Sequence, residues 1–157
     1  MTKLSAGVLL YRRRATGVEV LLVHPGGPFW ARKDDGAWSI PKGEAAPGET
    51  VEEAARREFA EETGFAVAGQ LIELGAFRQP SGKRVVAFAL EGDADPALLS
   101  SNSCRIEWPP RTGRYVDIPE VDRAGWFSLP QAVSKIIKGQ RPIVDALAAR
   151  LAAEPPP

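Results

Sequence analysis

The 157-residue sequence has little cysteine, little histidine and no long apolar run. Its single cysteine, Cys104, excludes an intramolecular disulfide and offers no cysteine set for zinc. No segment has the length of a membrane span, and the first residues place charge after the apolar stretch, unlike a secretory signal. Lysine and arginine number 20, as do aspartate and glutamate, so no bulk positive charge attracts a nucleic-acid polymer or a membrane. We therefore predict a cytoplasmic location.

Strands alternate with helical patterns along the chain, which predicts a single α/β domain. Strands are expected at 4–11, 18–24, 66–78, 84–90, 105–108 and 124–128. Loops are expected at 25–36, 93–103 and 108–115. Helices are expected at 129–138, with Gly139 as the stop, and at 142–153. The domain is predicted to cover 1–153, with 154–157 as a disordered, proline-rich tail.

One uninterrupted segment, residues 43–65, is predicted to form a loop, then a helix, then a helix end. Its sequence is GEAAPGETVEEAARREFAEETGF. Thr50 followed by Glu53 fits a capping box, which places the first helical residue at Val51. Gly64 is suited to end the helix because glycine readily adopts the left-handed conformation. The apolar side chains at 51, 54, 55 and 59 form one stripe, so the opposite face is free to carry charge.

That charged face carries three glutamates, Glu58, Glu61 and Glu62, at i, i+3 and i+4. Like charges at this spacing cost roughly 0.2–0.5 kcal/mol per pair on an exposed helix. A divalent cation reverses that cost, because Mg²⁺ binds a few carboxylates while keeping waters and substrate phosphates. Arg57 can pair with Glu49 and Glu61 and orient the cluster. The alternative for such a run is a solvated, charge-laced surface helix.

The spacing G-x5-E-x7-R-E-U-x-E-E-x-G-U, with U apolar, is met at every position from Gly43 to Phe65. In this the chain resembles the Nudix hydrolases, which cleave a nucleoside diphosphate linked to another group with Mg²⁺ or Mn²⁺. The resemblance implies the Nudix fold, a mixed β-sheet sandwiched between helices. It also implies a small nucleotide substrate and a monomer or homodimer.

The resemblance assigns roles to motif residues. Glu61 and Glu62 correspond to the principal metal ligands, with Glu58 and the carbonyl of Lys42 completing the set. Arg57 joins the three glutamates as part of the catalytic group, while Glu49 and Gly43 orient it. Family members also recruit a carboxylate ahead of a late strand as general base or metal ligand, and Glu120 is our candidate, with Glu107 and Asp122 in reserve.

Residues for the substrate are sought in the polar loops. Phe29, Trp30 and Tyr115 lie there and could stack on a nucleobase, or simply anchor their loops. His24 ends a strand and is either structural or a substrate contact. Basic loop residues could meet a polyphosphate: Arg32, Lys33, Lys42, Lys83, Arg111 and Arg114.

The entry to the motif, WSIPKGE, is similar to that of diadenosine polyphosphate hydrolases and diphosphoinositol polyphosphate phosphatases. ADP-ribose pyrophosphatases usually carry a proline about fifteen residues past the motif, where Pro80 stands here, so that class stays open. A dinucleoside polyphosphate or nucleoside triphosphate is favoured by analogy. Alternatives are a non-catalytic, nucleotide-binding regulatory module and a metal-buffering helix.

Overall fold

The computed structural model describes residues 4–154. Its strands are β1 Leu4–Arg14, β2 Gly17–Pro25, β3 Lys42–Glu44, β4 Ile72–Arg78, β5 Arg84–Glu91, β6 Ser103–Glu107, β7 Tyr115–Pro119 and β8 Val121–Ser128. The α-helices are α1 Val51–Thr63, α2 Leu129–Lys135 and α3 Arg141–Ala152, and short 3₁₀ turns lie at Pro96–Leu98 and Lys138–Gln140.

The main sheet is mixed. Its order is β4-β5-β1-β2-β8, and β3 pairs with β1 outside that path. The β1–β5 pair is parallel, whereas the other pairs are antiparallel. Strands β6 and β7 form a separate two-stranded sheet. The order places β1 at the centre, where both its faces are covered.

The core lies on both faces of this sheet. Leu9 packs with Ile143 and Leu147 of α3 on one face, while Val8 and the α1 residue Phe59 belong to the cluster on the other. Alternate residues of a strand point to opposite faces, so the continuous apolar run of β1 serves both layers. The predicted mixed sheet between helices is confirmed.

Several predicted boundaries were wrong. The strand expected at 66–78 begins only at Ile72, and residues 66–71 are irregular. The helix expected at 129–138 ends at Lys135, because the chain turns extended at Ile136 and then enters the 3₁₀ turn that contains Gly139. Strand β7 was not predicted. Of the expected disordered tail, residues 155–157 lie outside the described residues.

Candidate active site

Helix α1 has the predicted ends. The Thr50 side chain accepts a hydrogen bond from the Glu53 backbone N–H at 3.1 Å, and the Glu53 carboxylate accepts from the Thr50 hydroxyl at 2.9 Å. Gly64 ends the helix with φ 75°. A Cβ at Gly64 would also lie 2.8 Å from the Ser100 carbonyl oxygen. Glycine is therefore required both for the left-handed turn and for the close approach of residue 100.

The three glutamates of α1 differ in environment. Glu62 is 7% exposed and accepts a hydrogen bond from the Lys42 backbone N–H at 3.1 Å. The Glu58 side chain is largely buried, and that of Glu61 is 42% exposed. The sequence places the three glutamates on one face of the helix, and the structure shows that their exposure to solvent decreases from Glu61 through Glu58 to Glu62.

Burial raises the pKa of Glu62 to about 8. The hydrogen bond and charge of Lys42 oppose this rise, while the charges of Glu120 and Glu58 add to it. Burial therefore disfavours the ionised carboxylate more than the charge and hydrogen bond of Lys42 favour it. A cation placed beside Glu62 would supply further positive charge.

Arg57 links the acidic helix to the loop before it. Its guanidinium donates to both carboxylate oxygens of Glu49 at 2.8 and 3.0 Å, and to the Glu44 carbonyl at 3.0 Å. A further N–H group bonds Glu58 at 2.8 Å and Glu61 at 3.1 Å. Arg57 thus fixes the two more exposed glutamates, whereas Glu62 accepts its hydrogen bond from the Lys42 N–H.

Gly43 lies directly against this cluster. It pairs with Ala6 in the β1–β3 ladder, which holds the entry segment at the sheet edge. A Cβ at position 43 would overlap the Glu58 carboxyl group. Glycine is therefore needed at position 43 because any side chain there would occupy the space of the Glu58 carboxylate. The reason is steric and not a matter of backbone conformation.

Glu120 lies in the turn between β7 and β8, and the structure brings it to the α1 cluster. Burial raises its pKa, and the charges of Glu58 and Glu61 add to this, while Lys42 lowers it. Glu120 also raises the pKa of Glu62. Four carboxylates from two distant parts of the chain thus share one electrostatic environment.

The two reserve carboxylates have other partners. Glu107 accepts hydrogen bonds from the backbone N–H groups of Arg111 at 2.9 Å and Gly113 at 3.1 Å, closing the loop between β6 and β7. Asp122 lies 2.8 Å from Nδ1 of His24. Both carboxylates therefore organise loops, which favours Glu120 among the three candidates.

His24 is fully buried rather than open to a substrate. Its Nε2 lies 2.6 Å from the Lys33 carbonyl oxygen, within hydrogen-bond distance. Its ring also makes an edge contact with Trp38 at 5.2 Å. This geometry gives His24 the role of fastening the loop after β2 to β8 through Asp122.

The predicted aromatic residues lie in two places. Phe29 is 54% exposed and stands edge-on to Trp30 at 5.0 Å, with the Lys33 ammonium 3.9 Å from its ring centre. Trp30 packs against the core. Tyr115 is 55% exposed and begins β7 instead of lying in a loop. Phe29 and Tyr115 retain faces that a ligand could reach.

The basic candidates are mostly solvent-facing. Lys42 is half-buried beside Glu62, and it is the only one of them whose backbone bonds a motif glutamate in the described part of the chain. The others are exposed: Arg32, Lys33, Lys83, Arg111 and Arg114. Their roles toward a substrate stay predictions.

The donor set fits a hard divalent cation, but not a closed cage. Within residues 4–154, no three His, Cys, Asp or Glu side chains are arranged as a preformed metal site. Mg²⁺ does not need one, because it is usually held by one or two carboxylates, waters and substrate phosphates. Glu62 with Glu58, Glu61 and the Lys42 carbonyl are the residues that would hold it.

The comparison with known proteins decides the family. The NUDIX domain matches residues 1–147. The chain belongs to the Nudix family. A Bacillus subtilis protein, provisionally named an 8-oxo-dGTP diphosphatase, is 45% identical over 49 residues, which cover 31% of this chain and 32% of that protein. The match thus spans about a third of the relative's length.

Solved structures agree on the Nudix fold. A C. elegans Ap4A hydrolase binary complex has a TM-score of 0.67 at 23% identity, covering 96% of this chain and 99% of that one. The NUDIX domain of Shewanella oneidensis NrtR, complexed with ADP ribose, has a TM-score of 0.65 at 17% identity, covering 96% of this chain and 89% of that one. At these identities the likeness establishes the fold alone.

Sequence reasoning did not identify Ser101 and Asn102, which link α1 to Glu120. The Asn102 N–H donates to the Glu61 carbonyl at 2.9 Å, and the Asn102 carbonyl accepts from the Glu120 N–H at 2.9 Å. Most of these bonds use the backbone, so no residue type could have indicated them. The only sequence signal was the position of the segment between two regions already assigned to the site.

Proposed function

We propose that this Nudix protein is a Mg²⁺-dependent hydrolase, also able to use Mn²⁺, that cleaves a diphosphate bond in a nucleoside diphosphate linked to another group. The observation that carries the proposal is the buried Glu62 carboxylate beside Glu58 and Glu120. Buried carboxylates with raised pKa values are typical of functional sites, because keeping them costs stability. A purely structural acidic surface would leave Glu62 in solvent.

Each part of the cluster has a role in this reaction. A bound divalent cation lowers the pKa of a water molecule and neutralises charge on phosphate oxygens. Glu120 would accept a proton from the attacking water, since its partly buried carboxylate faces the α1 glutamates. Arg57 holds Glu58 and Glu61 in place, so little reorganisation is needed during the reaction.

The preferred substrate is a dinucleoside polyphosphate or a nucleoside triphosphate. The WSIPKGE entry segment supports it by resemblance, and the named activities of similar proteins, Ap4A hydrolase and 8-oxo-dGTP diphosphatase, are of these two kinds.

A cavity of about 570 Å³ is lined by residues that include Arg78, Pro80, Lys138 and Pro142. Its two cationic side chains could meet phosphate groups.

Gln140 lies between two of the residues that line this cavity, and its side chain bonds the segment that enters the motif. The amide oxygen of buried Gln140, between Gly139 and Pro142, accepts a hydrogen bond from the Ile40 N–H at 3.0 Å. Ile40 precedes Lys42 by two residues, and Lys42 bonds Glu62. We propose that Phe29 or Tyr115 stacks on a base of the substrate. Substrates of the ADP-ribose and diphosphoinositol phosphate classes are the alternatives.

A second candidate function is a regulatory module that binds a nucleotide without cleaving it. The similarity to the NrtR domain complexed with ADP ribose favours testing it. All the motif carboxylates are present here, which supports catalysis instead. In either case the expected partner is a small nucleotide, with no nucleic-acid polymer. No helix within residues 4–154 is long and apolar enough to cross a membrane.

The test is a product assay in ¹⁸O-labelled water. Purified protein with Mg²⁺ is mixed separately with dinucleoside polyphosphates, normal and oxidised nucleoside triphosphates, ADP-ribose and diphosphoinositol phosphates. We expect efficient cleavage of one of the first two classes, with the label identifying the attacked phosphorus. Tight binding of a nucleotide without cleavage of any compound would contradict the proposal and favour the regulatory module.

A further inference from the structure

We propose that Ser101 is a positioning residue, whose hydroxyl fixes Glu120 opposite helix α1. The proposal rests on the proposed hydrolase function. It goes beyond it by assigning a role to a loop side chain that touches neither the motif nor the substrate.

The Ser101 hydroxyl bonds the turn that carries Glu120 and the carbonyl of the next residue in its own segment. It accepts a hydrogen bond from the Val121 N–H at 3.0 Å and donates to the Asn102 carbonyl at 3.0 Å. The same carbonyl accepts from the Glu120 N–H at 2.9 Å. Two consecutive backbone N–H groups, at 120 and 121, are thereby held by one short segment.

That segment is itself anchored to the last turn of α1. The Ser100 N–H donates to the Thr63 carbonyl at 2.9 Å, and the Asn102 N–H donates to the Glu61 carbonyl at 2.9 Å. Carbonyl groups in the last turn of a helix have no partner inside the helix, so they are available for this contact. Gly64 permits it, because a side chain there would collide with Ser100. The backbone of Asn102 thus bridges Glu61 and Glu120, because it is hydrogen-bonded to both.

The opposite side of the turn is held by Gly26, the residue that follows β2. The Glu120 carbonyl accepts from the Gly26 N–H at 3.0 Å, just past the register shift between His24 and Pro25 in the β2–β8 ladder. A Cβ at Gly26 would overlap the Pro119 carbonyl. The backbone of Glu120 is therefore fixed from two directions, and Ser101 supplies the side-chain bond.

Removing the Ser101 hydroxyl leaves the Val121 N–H without this partner, at a residue that is 4% exposed. A buried N–H group without a partner is costly, so the turn is expected to shift to regain one. The backbone bonds at Asn102 remain, and so the protein should still fold. The carboxylate of Glu120 would then be misplaced relative to α1, with water activation affected more than binding.

The experiment compares Ser101→Ala with Ser100→Ala, an exposed neighbour whose hydroxyl takes no part in the network. With the substrate found in the product assay, we expect Ser101→Ala to lower kcat about tenfold with KM changed less than about twofold. Ser101→Thr, which keeps the hydroxyl, should restore kcat. Should Ser101→Ala fail to fold, Ser101→Cys carries the same prediction.

The decisive readout is a double-mutant cycle with Glu120→Gln. If Ser101 acts through Glu120, Ser101→Ala has no further effect on kcat once Glu120 is replaced. Equal losses in both backgrounds, or wild-type kcat in folded Ser101→Ala, would overturn the proposal while leaving the hydrolase function intact. An unaffected Glu120→Gln variant would overturn it as well, whereas failure of the function itself appears as no cleavage by the wild-type protein.

Discussion

At the level of single residues, the motif is explained by space and by charge. Gly43 is needed because the Glu58 carboxyl occupies the volume of its missing side chain. Gly64 is needed for its left-handed backbone and for the approach of Ser100. Arg57 is needed because only a guanidinium can serve Glu49, Glu58 and Glu61 together. The signature could be read from sequence, but the reason for Gly43 could not.

The first prediction concerns Gly43→Ala. The added methyl group would displace Glu58 from Arg57 and from the cluster, so we expect at least about a tenfold loss of kcat. Thermal melting should show a folded protein. The matched control is Gly92→Ala, whose Cβ would meet only a terminal methyl of Leu10 at 3.2 Å. Full activity of Gly43→Ala would show that the position of Glu58 is unimportant.

The second prediction concerns the contribution of Glu49 to the stability of the fold at low pH. The hydrogen bonds from Arg57, then that from Ala46, lower the pKa of Glu49 from 4.5 to about 2. A carboxylate with a lowered folded-state pKa stabilises the fold fully above the unfolded pKa, here about 4.5, and this contribution is lost as the pH falls toward 2. Glu49→Gln should therefore flatten the pH dependence of the unfolding free energy in that window.

Urea unfolding between pH 7 and pH 2.5 measures this slope. Glu52→Gln is the control, because Glu52 lies exposed in the first turn of the same helix. We expect the control to keep the wild-type slope. An unchanged slope in Glu49→Gln would mean that the Arg57 pair contributes nothing to folding stability.

At the level of secondary-structure elements, the sequence predicted those features that depend on residues close together in the chain, such as the ends of a helix. Helix α1 begins at Val51 and ends at Thr63 as expected, because its caps are its own neighbours. Strand β7 was missed because its residues are mostly exposed and show no apolar alternation. Residues 66–71 looked like a strand by composition, yet they have no ladder partner in the structure. Whether a segment forms a strand depends on hydrogen bonding to a partner strand, and that partner can be far away in the sequence.

The third prediction concerns the loop between β2 and β3. His24 contacts both Asp122, 98 positions later in the sequence, and the Lys33 carbonyl, so it fixes the loop that carries Phe29. We expect His24→Leu to raise KM for the substrate by more than it lowers kcat. Ala31→Ser, an exposed change in the same loop, should leave KM unchanged. A fall in kcat alone would contradict a loop-fastening role.

At the level of the whole molecule, the two layers of the core meet at the segment that enters the motif. Gln140, fully buried on the side of α3, accepts from the Ile40 N–H, and Lys42 then bonds Glu62 on the side of α1. The sequence predicted both helices and the sheet between them. It could not predict this link, since residues 40 and 140 are 100 positions apart and neither belongs to a motif.

The fourth prediction concerns Gln140→Leu. The replacement leaves the buried Ile40 N–H without its acceptor, which costs about 1–3 kcal/mol, partly offset because it also removes the buried Gln140 Nε2, which has no partner among the described residues. Urea unfolding should show this loss. Gln131→Leu is the control for an amide whose oxygen bonds a backbone N–H in an exposed setting, and it should cost less. Equal losses would mean that burial of the bond is unimportant.

The central claim is that the acidic face of α1 performs cation-dependent hydrolysis, and Glu62 tests it most directly. The measurement is Mg²⁺-dependent turnover by the wild-type protein, Glu62→Gln and the exposed control Glu52→Gln, with folding checked by thermal melting. The account predicts that Glu62→Gln folds and loses at least about 100-fold in kcat, while Glu52→Gln matches the wild type. Near-normal, Mg²⁺-dependent turnover by folded Glu62→Gln would contradict it.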